Sequence, residues 1–387
     1  MKRQIAVVTS SRADYSHLYW PLKDLSTHHD VDLKIVALGA HLSPEFGSTI
    51  REIENDGFTV AAKVECLLSS DSDVGMAKTI GLATLSLADL FGEMQPDLIL
   101  LIADRYEMLA PASVALALRI PIAHIEGGEI SQGAIDDAVR NAITKMSHIH
   151  FTSTHAARQR VIQLGEEEWR VHRAGAPSLD HIRRQKLFDR TALSEKLGVT
   201  PDLETILVAY HPVTINRDTL SETDALFGAL DTLTDQILFC FPNADAGSRA
   251  LIVRTRSFVE SRGRGGVYTN LDALTYLSLL RHVGVFVGNS SSGIMETASF
   301  ALPTVNVGFR QQGRERARNI TDAEPDQRSI LAALQKARSK EFRESLVGMT
   351  NPYGDGVASE TIVKVLTTVP LTPELLIKRH SAAPVHP

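Results

Sequence analysis

Cysteine is scarce in this chain: Cys66 and Cys240 are the only two in 387 residues, far apart and without C-x-x-C spacing. That excludes a disulfide framework or a cysteine zinc site and suits a reducing compartment. A strong charge of either sign is lacking too. A net charge of -6 and a pI near 6.2 give no footprint for nucleic acid or an anionic membrane, so any basic residue that matters must act locally. The opening "MKRQIAVVTSS" has too short an apolar run for a signal peptide, and no apolar segment is expected to reach membrane-spanning length. A cytoplasmic protein is the expectation. There is no low-complexity tract or short-period repeat, which excludes solenoids. The G-x-G-x-x-G fingerprint is missing after the first predicted strand, which argues against a nicotinamide enzyme.

What is present is an alternation of short β-branched runs with longer amphipathic segments, the pattern of βαβ units and a mostly parallel sheet. It predicts strands at 5–9, 33–38, 98–102, 122–125 and 150–152, then again at 205–209, 236–241, 283–287 and 304–307. Helices are predicted over 76–94, 107–118, 136–147 and 156–164. The length favours two domains. The polar stretch from about 175 to 204, with Pro177 and Pro201, reads as the crossover between them. The expected division is 1–175 for an N-terminal Rossmann-like domain, 176–370 for a second, and 371–387 as a frayed tail. The fold class is therefore α/β, two Rossmann-like doubly wound domains facing across a cleft. Ligands of such sheets bind beyond the carboxyl ends of the strands, so the residues that follow each strand carry the information.

Those residues form a coherent set: "TSSRADYS", "LGAHLS", "IADRYE" and "HIEGGE" in the first half, then "AYHPVT", "FPNADAGS", "VGNSSSGIMETASF" and "VGFRQQGR". Gly288 to Gly293 lies between an apolar strand and a helix expected near Ile294, a setting that suits a phosphate, although alone it is equally an ordinary cap. Arg12, Arg105 and Arg310 each follow a strand and suit a diphosphate, since guanidinium forks bind phosphate bidentately. His211 reads either as a buried hydrogen-bonded histidine or as a donor to a leaving oxygen. Asp104, Glu126 and Asp136 are candidate proton-transfer acids. Each of two has a plainer account, an ion pair with Arg105 for Asp104 and a helix N-terminal acid near Arg140 for Asp136. The D-x-D formed by Asp71 and Asp73 is read as a solvated loop or cap rather than a metal site.

Taken in order, "SRADYSHL", "ADRYEMLA", "HIEGGEISQGAIDDAVRNAITKMSHIH", "HPVT", "PNADAGS", "GNSSSGIMETASF" and "RQQGRERARN" resemble the hydrolysing UDP-N-acetylglucosamine 2-epimerases, over about residues 4 to 368. The resemblance implies the glycosyltransferase-B type of fold, a homodimer or dimer of dimers, and no metal or redox cofactor. It implies catalytic roles for Asp104, Glu126, Asp136 and His211. It implies UDP contacts for Arg12, Ser16, Arg105, Asn243, Ser290, Ser291, Glu296 and Arg310, with His41 near the sugar. The run "EISQGAIDD" holds one residue more than is usual in relatives, which bears on the position of Asp136. The implied reaction takes UDP-N-acetylglucosamine and water to N-acetylmannosamine and UDP, as for sialic acid synthesis. "NPYGDG" and "GNSSSG" incline the reading to that sugar. The rivals are the same chemistry on UDP-N,N′-diacetylbacillosamine, a non-hydrolysing epimerase, a glycosyltransferase of the same fold, and a two-domain sugar-binding protein.

Overall fold

The computed structural model describes residues 2–68, 72–102, 105–132, 135–211, 220–241, 248–269 and 271–379. The chain divides into two compact units, one made of Met1–Glu129, Ile135–Asp180 and Gly356–Pro387, the other of Ile130–Ala134 and His181–Asp355.

The first unit is built on a seven-stranded sheet of order β3-β2-β1-β4-β5-β6-β7. Its strands are β1 (Arg3–Thr9), β2 (Val31–Leu38), β3 (Val60–Val64), β4 (Leu98–Ile102), β5 (Ile122–Ile125), β6 (Ile149–Thr152) and β7 (Val171–Arg173). All neighbours run parallel. Parallel strands need crossover helices, and these cover both faces of the sheet, so the central strand β4 is apolar at every position rather than alternating. Ile5 and Val7 of β1 join the core on one face, with Leu98, Leu100 and Ile102 of β4. Ala6 and Val8 join the core on the other, with Ile99 and Leu101. Each such buried aliphatic side chain contributes roughly 1.5–3 kcal/mol.

The second unit repeats the plan with six parallel strands in the order β10-β9-β8-β11-β12-β13. These are β8 (Ile206–Ala209), β9 (Ile237–Phe241), β10 (Gly265–Thr269), β11 (Val285–Gly288), β12 (Thr304–Val307) and β13 (Ile320–Ala323). Ile206 and Val208 face one core, Leu207 and Ala209 the other. The predicted central strands of both halves are present, while β3, β7, β10 and β13 were not predicted; all four are sheet edges.

Three expectations need correction. The second domain does not run to residue 370, because the helix Ala358–Thr368 packs Ala358, Ile362 and Leu366 into the core of the first unit. Buried Asp180 caps it, accepting from the backbone N–H groups of Ala358 at 3.0 Å and Ser359 at 2.8 Å. The segment from 371 to 379 is not frayed. Leu375 is buried, and the guanidinium of Arg170 donates to the carbonyls of Leu375 at 2.8 Å and Ile377 at 2.9 Å. Lys378 reaches buried Glu166 at 2.7 Å. Burial pushes the Glu166 carboxyl up, but hydrogen bonds from His150, Lys145 and Lys378 outweigh it and hold the pKa at about 2. Finally, the 22-residue helix Asp73–Met94 is long and apolar enough to cross a membrane by length and composition. In the fold it lies on the sheet, with Ala83, Leu87 and Phe91 buried in the core.

A chain ending at Pro370 removes two carbonyl acceptors of buried Arg170 and one cation of Glu166. It is expected to lose about 3–5 kcal/mol of stability, the range for breaking a buried ion pair. Urea denaturation checks this; an unchanged midpoint would show that the segment is not holding the unit.

Candidate functional site

In the first unit β1, β4 and β5 are neighbours, and the strand order reverses between β1 and β4, so their carboxyl ends form a natural binding edge. Leaving β1, Ser11 caps the helix Arg12–Thr27 by accepting from the N–H of Asp14. Asp14 is itself buried and accepts from the Ser10 N–H at 3.1 Å and hydroxyl at 2.8 Å. Burial raises its pKa, with Arg105 opposing. Arg12 opens the helix and Ser16 follows one turn on. Arg12 pairs with Glu52 at 3.3 Å, an exposed contact of about 0–1 kcal/mol that a phosphate could displace. Arg105 leaves β4 and pairs at 3.2 Å with Glu107, which is fully buried.

Ring burial of His41 is complete. Its Nε2 meets the Thr9 hydroxyl at 2.9 Å and its Nδ1 the Thr49 hydroxyl at 2.8 Å. Burial first, and Arg105 second, push its pKa down to about 4, so it is neutral near pH 7. As placed, its nitrogens tie β1 to the loops that follow β2.

Glu126 leaves β5 with a left-handed backbone, φ 66°, although it is not glycine. Its N–H continues the sheet ladder to the Phe151 carbonyl at 2.8 Å, and its carboxylate lies 2.7 Å from Nδ1 of His17. The turn that follows has no room for side chains. A Cβ on Gly128, φ 80°, would stand 2.3 Å from the Ala157 carbonyl, and one on Gly127 would stand 3.0 Å from the Thr144 hydroxyl. Arg160 donates to the Gly128 carbonyl at 2.6 Å, and Ser153 donates to the Glu129 carboxylate. Asp136 is half-buried in the first turn of the helix Ile135–Met146, at the same edge. Arg140 of that helix is buried and donates to the Glu129 carbonyl at 2.9 Å. Asp104 lies outside the described residues. Of the D-x-D, Asp71 also lies outside them, while Ser72 caps the helix Asp73–Met94 and Asp73 is its first residue, as the cap reading requires.

In the second unit the organising residue is Asn289, which sequence reasoning did not single out. Fully buried after β11, it accepts from the His211 N–H at 2.7 Å and donates to the His211 carbonyl at 2.8 Å. Its own carbonyl accepts from Arg310 at 2.9 Å and Gln311 at 2.8 Å. One residue therefore ties the ends of β8 and β11 together through its side chain, and to the loop after β12 through its carbonyl. Gly288 permits the approach, since a Cβ there would stand 2.0 Å from the Ala209 carbonyl. Ser290 and Ser291 follow. The helix they introduce, Ser292–Met295, has only four residues, so its dipole is small and any anion would be held by individual N–H groups and the nearby guanidinium. Glu296 caps that helix and is buried. Burial, with Arg310 adding to it, pushes the His211 pKa down to about 3. At neutral pH it can donate an N–H hydrogen bond but cannot act as an imidazolium acid. Asn243 lies outside the described residues, as does most of "HPVT".

Missed residues are thus Asn289, Glu107 and His17. An asparagine among serines, and a histidine or glutamate inside a helical run, carry no signal until the topology sets them beside a partner.

Residues 23–367 match the family described as UDP-N-acetylglucosamine 2-epimerase. The chain is 38% identical to the GDP/UDP-N,N′-diacetylbacillosamine 2-epimerase (hydrolyzing) of Campylobacter jejuni, covering 89% of this chain and 90% of that one. It is 37% identical to the UDP-N,N′-diacetylbacillosamine 2-epimerase (hydrolyzing) of Legionella pneumophila, covering 98% and 99%. Identity to a UDP-N-acetylglucosamine 2-epimerase of Neisseria meningitidis is 31%, covering 88% of each. Among solved structures, UDP-GlcNAc 2-epimerase from Neisseria meningitidis bound to UDP-GlcNAc matches with a TM-score of 0.80 at 16% identity, covering 94% of this chain and 99% of that one. The shared fold is the two-unit α/β architecture of the glycosyltransferase-B type.

Replacing Asn289 with alanine is expected to leave the His211 N–H and carbonyl unsatisfied and to cost about 2–4 kcal/mol, read by chemical denaturation. Asn289→Asp should recover only part, because it accepts but cannot donate. Full stability in both variants would remove the clamp.

Proposed function

Because the chain belongs to the UDP-N-acetylglucosamine 2-epimerase family, we propose that it is a hydrolysing 2-epimerase of a UDP-linked 2-acetamido sugar. The observation that carries this most is near end-to-end similarity, at 37–38% identity, to two enzymes described as hydrolyzing. The chemistry agrees. The C2 proton of such a sugar is not acidic, so departure of UDP comes first and gives an oxocarbenium-like centre at C1. Carboxylates stabilise that charge and take the C2 proton, forming a glycal. Water then adds with inverted configuration at C2, giving a free 2-epimeric sugar. The steps need no metal or redox cofactor.

In this reading Asp104, Glu126 and Asp136 are the acids. Arg12, Ser16, Arg105, Asn243, Ser290, Ser291, Glu296 and Arg310 hold UDP. Cations beside the diphosphate offset the charge that develops on it. His211, neutral, donates a hydrogen bond to the leaving oxygen. For the sugar, the higher identity to the diacetylbacillosamine enzymes than to the Neisseria meningitidis enzyme, 38% and 37% against 31%, favours UDP-N,N′-diacetylbacillosamine over UDP-N-acetylglucosamine, against the inclination of "NPYGDG". The enzyme is proposed to work in the cytoplasm, where nucleotide sugars are made.

A homo-oligomer is also proposed. On the helix Asp73–Met94, Val74, Leu82 and Leu85 are 62%, 40% and 70% exposed, and above Gly81 and Gly92 there is open space. Pairing two such helices antiparallel about a two-fold axis at Ala83 and Thr84 sets Leu82 of one copy opposite Leu85 of the other. The same register sets Lys78 opposite Asp89, both exposed. Leu85→Glu is expected to convert the oligomer to a smaller species in sedimentation; an unchanged mass would remove this face from the interface.

Incubating the protein with each of the two UDP-sugars and following products by NMR tests the activity. Free UDP with a free 2-epimeric sugar is expected, faster from the diacetylated substrate. A product that keeps its UDP would contradict hydrolysis.

A further inference from the structure

The contact between His17 and Glu126 joins residues 109 apart in sequence. Glu126 stands where glycine would be the less costly residue. Its φ of 66° is left-handed, a strain of roughly 1–3 kcal/mol, and the two glycines after it show how little room the turn has. Keeping a glutamate there fixes the direction in which its side chain leaves the backbone, through the N–H bond to Phe151 and the packing of Gly128 against Ala157. Three side-chain torsions remain, and backbone geometry does not control them. The imidazole of His17 meets the carboxylate at their end. Its Nδ1 lies 2.7 Å from Oε1, with both side chains largely enclosed, 24% and 12% exposed. His17 belongs to the helix Arg12–Thr27, whose other face packs Leu18, Leu22 and Leu25 into the core, so the ring is mounted on a rigid element.

We propose that His17 is a positioning residue for Glu126: its Nδ1–H donates to the carboxylate and holds it in the orientation from which it exchanges a proton with the sugar. This rests on the reading of Glu126 as a reacting acid. A carboxylate accepts only, so its partner nitrogen carries the proton and the tautomer of His17 is fixed with it. Glu126 is a charged group in direct contact with the ring. One turn earlier on the same helix lies Asp14, which is held by Ser10 and influenced by Arg105 and Glu107. The contact orients the acid and need not touch substrate.

His17→Ala and His17→Asn test it, because the asparagine amide nitrogen stands near Nδ1 and cannot titrate in its place. His17→Ala is expected to lower kcat about 10- to 100-fold while KM stays within about two-fold, the signature of a misplaced reacting group. His17→Asn should recover to within about five-fold of the parent. Parental turnover in His17→Ala, or His17→Asn no better than His17→Ala, would overturn the proposal. A second measurement does not depend on turnover. In the full chain, Glu126→Gln should shift the Nδ1 resonance of His17 in nitrogen-15 NMR and leave that of His41 in place. An unmoved His17 resonance would also overturn the proposal. If the resonance moves but no UDP-sugar is processed, the pairing stands and it is the proposed reaction that fails.

Discussion

Every strand pairing in the two sheets is parallel, and the placement of the chemistry depends on that constraint. A parallel ladder brings all carboxyl ends to one edge and sends each connection back over a face through a helix. The faces are then consumed by packing. Only the loops at the edge are available for polar groups, which is why Arg12, Arg105, Glu126, His211, Ser290 and Arg310 each sit just beyond a strand. The strand order reverses between β1 and β4 in one unit and between β8 and β11 in the other, the place where such sheets bind their ligands.

Loops at such an edge would be mobile without further restraint, and both units supply it by close backbone packing. Gly288 lets β11 lie against the Ala209 carbonyl, and Asn289 then closes the gap with a pair of hydrogen bonds to His211. Gly128 does the same against Ala157, and Glu126 is strained as a result. Polar groups held in this way need little reorganisation when charge moves, and in a dry site that is the largest part of electrostatic catalysis. Buried His41 and His211 illustrate a related point. Burial keeps both neutral, so neither His41 nor His211 adds positive charge at these edges.

How much of this was legible in the sequence follows from burial. A central strand such as "LILLI" in β4 is apolar at every position and bounded by turn residues; the limits of β4, β5 and β12 were read correctly and those of the other predicted strands to within two residues. The edge strands β3, β7, β10 and β13 are half-exposed, with residues such as Lys63, Arg173 and Asp322, so the periodic signal fades where one partner strand is missing. The return of Ala358–Thr368 to the first unit was hidden because an amphipathic helix does not say which core it joins. Its cap, Asp180, lies 178 residues away. The candidate residues that follow a strand could be picked out by position. Asn289, Glu107 and His17 were not, since their roles depend on contacts with residues distant in sequence or on burial that the local pattern does not carry.

The central claim is that UDP and the C2 proton are lost to form a glycal and that water, not UDP, adds to it. Turnover in a mixture of deuterium oxide and oxygen-18 water tests it directly. The account predicts one solvent deuterium at C2 of the released sugar and oxygen-18 at its C1, with none in UDP, because the C1–O bond breaks. Oxygen-18 in the released UDP, or a C2 position that keeps its original hydrogen, would contradict it.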